Sequence, residues 1–231
     1  MKESIIDCRD DFHEMVESYS AYHPIFRGVR NKKYELISNF GRCLLNHKEV
    51  LSKYPDLTYV VDGNHELGTL NEFKRRAIPY IISTPNNDWD WLTLAQHHGL
   101  PTRLLDWTTN PLVALFFAVE VDDENDAAIY ALKDTTVLCK ANAEESPFEI
   151  IEPTLLYPAH MTSRVINQSG LFTLHSNPEE AYNDDAITKY IIKREVFSQL
   201  NSMADKYGIN ESTIYPGLDG ITKHIRKWKY Y

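Results

Sequence analysis

Three stretches carry side chains whose types and spacing could do chemistry. The first is Phe26-Arg27-Gly28, which follows Pro24 and Ile25 in an apolar run. A cation among apolar neighbours is costly unless it is paired or holds a ligand. The Arg27 guanidinium is a rigid fork of donors suited to phosphate or carboxylate. Gly28 permits close backbone approach by a ligand or a neighbouring strand. The reading that needs no ligand is an ion pair with an acid such as Asp106. The second stretch, LLDWTTNP, runs from Leu104 to Pro111. Read as a strand from Thr102 to Trp107, it places Thr102, Leu104, Asp106 and Thr108 on one face and Arg103, Leu105 and Trp107 on the other. Asn110 before Pro111 starts a helix. A strand leading into a capped helix turns backbone N–H groups toward an anion, and Thr108 or Thr109 adds a hydroxyl. The alternative is that Thr109 and Asn110 only cap the helix while Asp106 pairs with Arg103 or Arg27. The third stretch runs from Ser163 to Phe172, where Gln168 and Gly170 precede an apolar strand. They either project into a cleft or form a plain turn.

Two other signals weigh less. His97-His98 are adjacent, so they do not share a helix face, and no third ligand spacing accompanies them. No metal is expected. The basic, aromatic tail ITKHIRKWKYY reads as an amphipathic helix packing Ile221, Ile225 and Trp228 onto the body.

The elements that must position these residues follow from periodicity and punctuation. Residues 7–19 have helical spacing at Phe12, Met15 and Val16. The Phe-Arg-Gly stretch is a strand after Pro24, and Ser38 to Arg42 reads as a turn. Residues 66–82 look helical until Pro79. Asp88 caps a helix that Gly99 ends and Pro101 keeps closed. The helix after Asn110 is apolar all round and therefore buried. Asp122 to Asp126 reads as an exposed acidic turn, while Ala127 to Leu132, Phe148 to Ile151 and Leu171 to Leu174 read as strands. Lys189 to Phe197 is a strand or a short helix. Without a βαβ rhythm the expected class is α+β, with a mixed, mostly antiparallel split sheet flanked by helices. A single domain over 1–231 is expected, with an N-terminal helix in 1–20 and a helical tail in 222–231.

Composition narrows the function. The chain has 231 residues, 43% of them hydrophobic, enough for a large core. With 24 basic against 33 acidic residues it carries a net charge of −9, which disfavours tight non-specific binding to nucleic acid. No apolar run approaches the ~18 residues of a membrane span, and the first residues, MKESIIDCRDDF, have no apolar signal core. Cys8, Cys43 and Cys139 form neither a metal pair nor a disulfide framework. The expectation is a reduced, cytoplasmic protein with no membrane partner.

The motifs also carry a resemblance. Phe26-Arg27-Gly28, then LAQHHGLPTRLLDWTTNPLVALFFAV over 94–119, NQSGLFTLH over 167–175 and YPGLDGI over 215–221 resemble the blocks of the FRG-domain family. More distantly, an aromatic-Arg-Gly strand followed by a strand ending in Ser or Thr is similar to the ADP-ribosyltransferase layout. That likeness implies an ADP-ribosyltransferase-like fold and NAD as substrate, held by Arg27, Gly28, Thr108, Thr109 and Asn110. It implies Arg27, Thr108, Gln168 and Asp106 as the catalytic set, an unidentified macromolecular acceptor, and a role as bacterial toxin or anti-phage defence effector. Gln168 stands where that superfamily has Glu. It accepts a hydrogen bond but brings no charge to a developing oxocarbenium ion, so Asp106, Glu195 or Glu211 would have to supply the carboxylate. The alternatives are a non-catalytic module that binds or senses NAD or ADP-ribose, and a protein-interaction domain with Arg27 and Asp106 as a buried structural pair.

Overall fold

The computed structural model describes residues 1–54, 56, 61–121, 124–159 and 163–229. The chain is mixed α/β, built on one eight-stranded sheet flanked by helices, with strand order β1-β8-β4-β2-β3-β7-β6-β5. The strands are β1 Lys2–Ile6, β2 Ile25–Val29, β3 Leu104–Thr108, β4 Ala127–Leu132, β5 Cys139–Lys140, β6 Thr154–Leu156, β7 Gly170–Leu174 and β8 Ile187–Ile192. The two outer pairings, β1 with β8 and β5 with β6, are parallel, and the inner ones are antiparallel.

At its middle the sheet is split. β2 pairs with β4 from Ile25↔Leu132 to Val29↔Ala128, but meets β3 through the single pair Phe26↔Thr108. Beyond that pair the two strands part. Helices cover the Phe26 face on either side of the seam. Over β8, β4 and β2 lie α1 Arg9–Glu17, α5 Pro111–Val119 and α7 Phe197–Lys206, packing Phe12, Leu115, Ala118 and Leu200 against Phe26 and Ile129. Over β3, β7 and β6 lie α3 Gly63–Ala77 and α4 Asp88–His97, packing Leu70, Trp91 and Leu92 against Leu104, Phe172 and Leu174. All six residues of β4 are buried. Each large apolar side chain so buried contributes roughly 1.5–3 kcal/mol.

Gly28 is where strand and helix touch. A Cβ at this position would stand on the Ala114 carbonyl oxygen and 2.9 Å from the Ala118 nitrogen. The close approach expected at Gly28 is therefore made by α5, neither by a ligand nor by a strand.

Several local expectations are corrected. The chain opens in β1, an edge strand, before the expected helix. Ser38 to Arg42 is no turn: the Ser38 hydroxyl accepts from the Gly41 N–H and caps α2, Asn39–Lys53, because a capped polar start outweighs local turn chemistry. Asn87 rather than Asp88 caps α4. Phe148 to Ile151 forms no strand; Phe148 lies under the Arg103 guanidinium, 5.0 Å from it. Lys189 to Phe197 divides into β8, a 3-10 turn at Arg194–Val196 and the start of α7. Within Asp122 to Asp126, residues 122 and 123 lie outside the described residues, and Asp126 is turned inward, accepting from Lys32 (3.0 Å) and Lys193 (3.2 Å). The tail is α9, Leu218–Lys229, but Ile221 and Ile225 face solvent. Its inner face is polar: Lys227 and His224 reach Glu211 at 2.9 and 3.2 Å. The Trp228 side chain and residues 230–231 lie outside the described residues. The three cysteines are free thiols. Among the described residues no helix is long and apolar enough to cross a membrane.

Candidate functional site

The splayed strands leave a cleft of about 770 Å³ at the seam. Residues from both faces of β2 and β3 line it: Phe26 and Gly28 with Arg27 and Val29, and Asp106 and Thr108 with Trp107. The floor is completed by Phe117 of α5, and one wall by Arg164 and Gln168, which belong to and follow α6, Ser163–Asn167. The loop after β2 adds Arg30, Lys33, Tyr34 and Glu35, and α2 adds Arg42. Thus five cations, Arg27, Arg30, Lys33, Arg42 and Arg164, face two carboxylates, Glu35 and Asp106. A chain with an overall excess of acid has gathered positive charge in one concavity, which focuses an attractive potential on anions.

Arg27 spans the seam. Its Nη1 donates to the Asp106 backbone carbonyl at 2.7 Å and to Asp106 Oδ2 at 3.2 Å. The guanidinium thereby replaces the ladder that β2 and β3 fail to make. Its Nε is buried and has no hydrogen-bond partner. The Arg27 side chain is 15% exposed and that of Asp106 56%. The pair is therefore half-open, unlike the buried structural pair of the interaction-domain reading. Asp106 does not pair with Arg103, whose partner is Glu66 at 2.6 Å.

The other carboxylate oxygen is also held. Gln96 Nε2, from α4, donates to Asp106 Oδ1 at 2.6 Å, and the Thr102 hydroxyl donates to Gln96 Oε1. Arg42 is fastened by the Ile37 carbonyl and Asn39 Oδ1; burial, reinforced by the nearby Arg27 charge, holds its pKa below the ordinary value. Tyr130, opposite Arg27 in β4, donates to the Tyr34 carbonyl at 2.7 Å and pins the loop that carries the basic residues. Burial and the Glu35 and Glu3 carboxylates push its phenol up to about 12.

The cleft brings Arg27, Gly28, Asp106, Thr108 and Gln168 together. Thr108 is buried, and its hydroxyl donates to the Gln168 carbonyl at 2.7 Å while accepting from the Asn110 N–H. It ties the β3–α5 turn to the turn before β7. Gln168 turns its Nε2 to the Ile214 carbonyl at 3.2 Å. Thr109 and Asn110 do not line the cleft. Thr109 is exposed and borders a separate depression with Tyr22 and Thr135, and the Asn110 side chain accepts from the Leu112 N–H as a helix cap. The N-terminus of α5 is likewise absent from the cleft lining.

Glu195 is exposed on the turn before α7, and Glu211 is buried against Lys227 and His224; neither lines the cleft. The carboxylate the sequence did not single out is Glu35. Its signal, with Arg30 and Lys33, was the charge run RNKKYE directly after the strand. Nothing in the spacing pointed to Gln96. Beside the cleft, a second depression of about 490 Å³ shares Arg164 and is lined by His97, Tyr215, Asp219 and Lys223. Burial, with Arg164 beside it, holds His97 below its ordinary pKa. Asp7, Cys8 and Asp11 lie close enough to share a cation. Asp11 there accepts from the Asp7 and Cys8 N–H groups at the start of α1.

The family model of the FRG domain matches residues 22–127. The chain carries an FRG domain. No curated protein and no solved structure matches the chain. The FRG domain as matched supplies β2, the basic loop, α2, α4, β3 and α5. Arg164 and Gln168 reach the cleft from beyond it.

Proposed function

We propose that the seam cleft binds the diphosphate of an NAD-class nucleotide, as an ADP-ribosyltransferase-like protein would. The observation that carries this reading is the charge of the lining: five cations against two carboxylates. Arg27, anchored through Nη1, would bring its charge to one phosphate. Arg164 and the loop cations neutralise the second phosphate. The volume suits a ligand of nucleotide size.

The second reading adds bond cleavage, and the observation that favours it is the Asp106 carboxylate on the cleft wall. In that reaction the ribose C1′–nitrogen bond breaks and neutral nicotinamide leaves with the bonding electrons. A lone pair of water or of an acceptor side chain forms the new bond to C1′, and its proton passes to a carboxylate. Asp106 would offset the positive charge building on the sugar. Binding is the reading favoured here, because both Asp106 oxygens already accept hydrogen bonds and Gln168 is uncharged.

The test is titration of the protein with ADP-ribose and NAD, following both melting temperature and released nicotinamide. ADP-ribose is expected to raise the melting temperature as mass action requires. Arg27→Ala is expected to weaken binding at least about tenfold, the loss of roughly 1.4 kcal/mol. Absence of any shift with either nucleotide would overturn the reading. Nicotinamide release that depends on Arg27 would move the conclusion from binding to catalysis.

A further inference from the structure

Gln96 lies outside the catalytic and binding set read from the sequence, yet it is the one side chain of α4 that reaches Asp106 through a hydrogen bond whose direction is fixed. Gln96 Nε2 donates to Asp106 Oδ1 at 2.6 Å, so its Oε1 accepts from the Thr102 O–H, and the Thr102 oxygen in turn accepts from the Leu104 N–H at 3.2 Å. Asp106 Oδ2 receives Arg27 Nη1 at 3.2 Å. The chain of donors runs one way, from the backbone of β3 through Thr102 and Gln96 to Asp106, and Asp106 fixes Arg27.

We propose that Gln96 is the positioning residue of the cleft: through Asp106 it holds the Arg27 guanidinium in place at the seam. This rests on the anion-binding reading above and says how that site is kept in order. With the amide in place, the Asp106 carboxyl is held between one cation and one neutral donor. Without it, Oδ1 loses this donor, the carboxylate can rotate, and Arg27 is left with the Asp106 backbone carbonyl as its acceptor.

Glu at position 96 separates this role from mere packing. It has the same shape and can still accept from Thr102. When protonated, its O–H donates to Asp106 Oδ1 as the amide does. When ionised, it sets two carboxylates within hydrogen-bond distance, which repel and draw Arg27 away from the ligand. The other charged or titratable groups facing this point are Arg27 of β2, Arg42 of α2, Arg164 of α6, His97 on α4, and Arg30, Lys33 and Glu35 of the loop. All are unchanged between native protein and variant, so the difference of their pH profiles reports position 96.

The experiment measures ADP-ribose affinity from pH 5 to 9 for the native protein, Gln96→Glu and Gln96→Leu, with melting temperatures alongside. At pH 8, Gln96→Glu is expected to bind about tenfold more weakly than native, and to recover to within about twofold by pH 5 as the carboxylate pair takes up a proton. Gln96→Leu is expected to bind weakly at every pH. A native affinity and native pH profile in Gln96→Glu would overturn the proposal. So would an equal, pH-independent loss in both variants, which would make Gln96 a packing residue. If the native protein fails to bind ADP-ribose, the anion-site reading itself falls and this proposal with it.

Discussion

Two arginine–carboxylate pairs stand near each other on β3, and they have opposite characters. Arg103 pairs with Glu66 of α3 at 2.6 Å, with side chains 7% and 1% exposed. Arg27 pairs with Asp106 at 3.2 Å, with side chains 15% and 56% exposed. In the first pair Glu66 also accepts from the Arg103 backbone N–H, so a helix is stapled to the start of a strand. Burial raises the Glu66 carboxyl above its ordinary value even with Arg103 beside it. Such a pair fixes geometry more than it adds stability. In the second pair the carboxylate faces the cleft. The same two functional groups build a staple where water is excluded and line an open cleft where it is not.

The largest effect should come from breaking the buried pair. Glu66→Ala leaves the Arg103 charge buried and alone, and is expected to cost about 3–5 kcal/mol in denaturant unfolding. The double variant Glu66→Met, Arg103→Met should recover most of that loss. A single variant that unfolds like native would show that water reaches the pair.

Acid is the next lever, and it acts first on neither pair. His175 stacks on Tyr182 with ring centroids 4.0 Å apart, its Nε2 lies 3.0 Å from Thr173 Oγ1, and burial pushes its pKa down to about 4. The unfolded chain takes up this proton near pH 6.5 and the folded chain does not. Stability is therefore full above about 6.5, falls as the pH drops, and levels off near 4, a total of about 3 kcal/mol. His175→Phe should flatten that limb, after which the acid response of the two ion pairs can be read directly. A native protein equally stable at pH 7 and pH 4.5 would contradict the burial of this ring.

The smallest effect on stability should come from the open pair. Asp106→Ala is expected to change unfolding free energy by no more than about 1 kcal/mol, since exposed pairs contribute little. It should nonetheless alter ADP-ribose affinity, because it removes one of the two acceptors that hold Arg27. A loss of stability as large as that of Glu66→Ala would erase the distinction between staple and site.

The two pairs also mark what could be read from the residues. Asp106 was legible as a partner for either Arg27 or Arg103. Strand alternation set the faces, but choosing between the arginines needed to know that α3 delivers Glu66 to Arg103. Gly28 was legible as a point of close approach, and only packing showed that a helix makes it. Thr109 and Asn110 read as a ligand site because a capped helix start is a general anion motif. The cap is there, but the cleft lies elsewhere along the seam.

By itself the sequence determined what local physics governs. Apolar periodicity, the Asn110-Pro111 start and Gly99 at the end of α4, with φ of +89°, gave the elements around the site. The Phe-Arg-Gly triplet and the block over 94–119 lie within the residues that match the FRG-domain model. The tertiary structure alone decided that β2 and β3 part after one residue pair, and that Arg27 closes the gap. It also decided that Arg30, Lys33, Arg42 and Arg164 converge there, and that Gln96 stands behind Asp106. These are contacts between residues 10 to more than 130 positions apart. They depend on how two covered halves of a sheet come to rest against each other, and no periodicity along the chain encodes that distance.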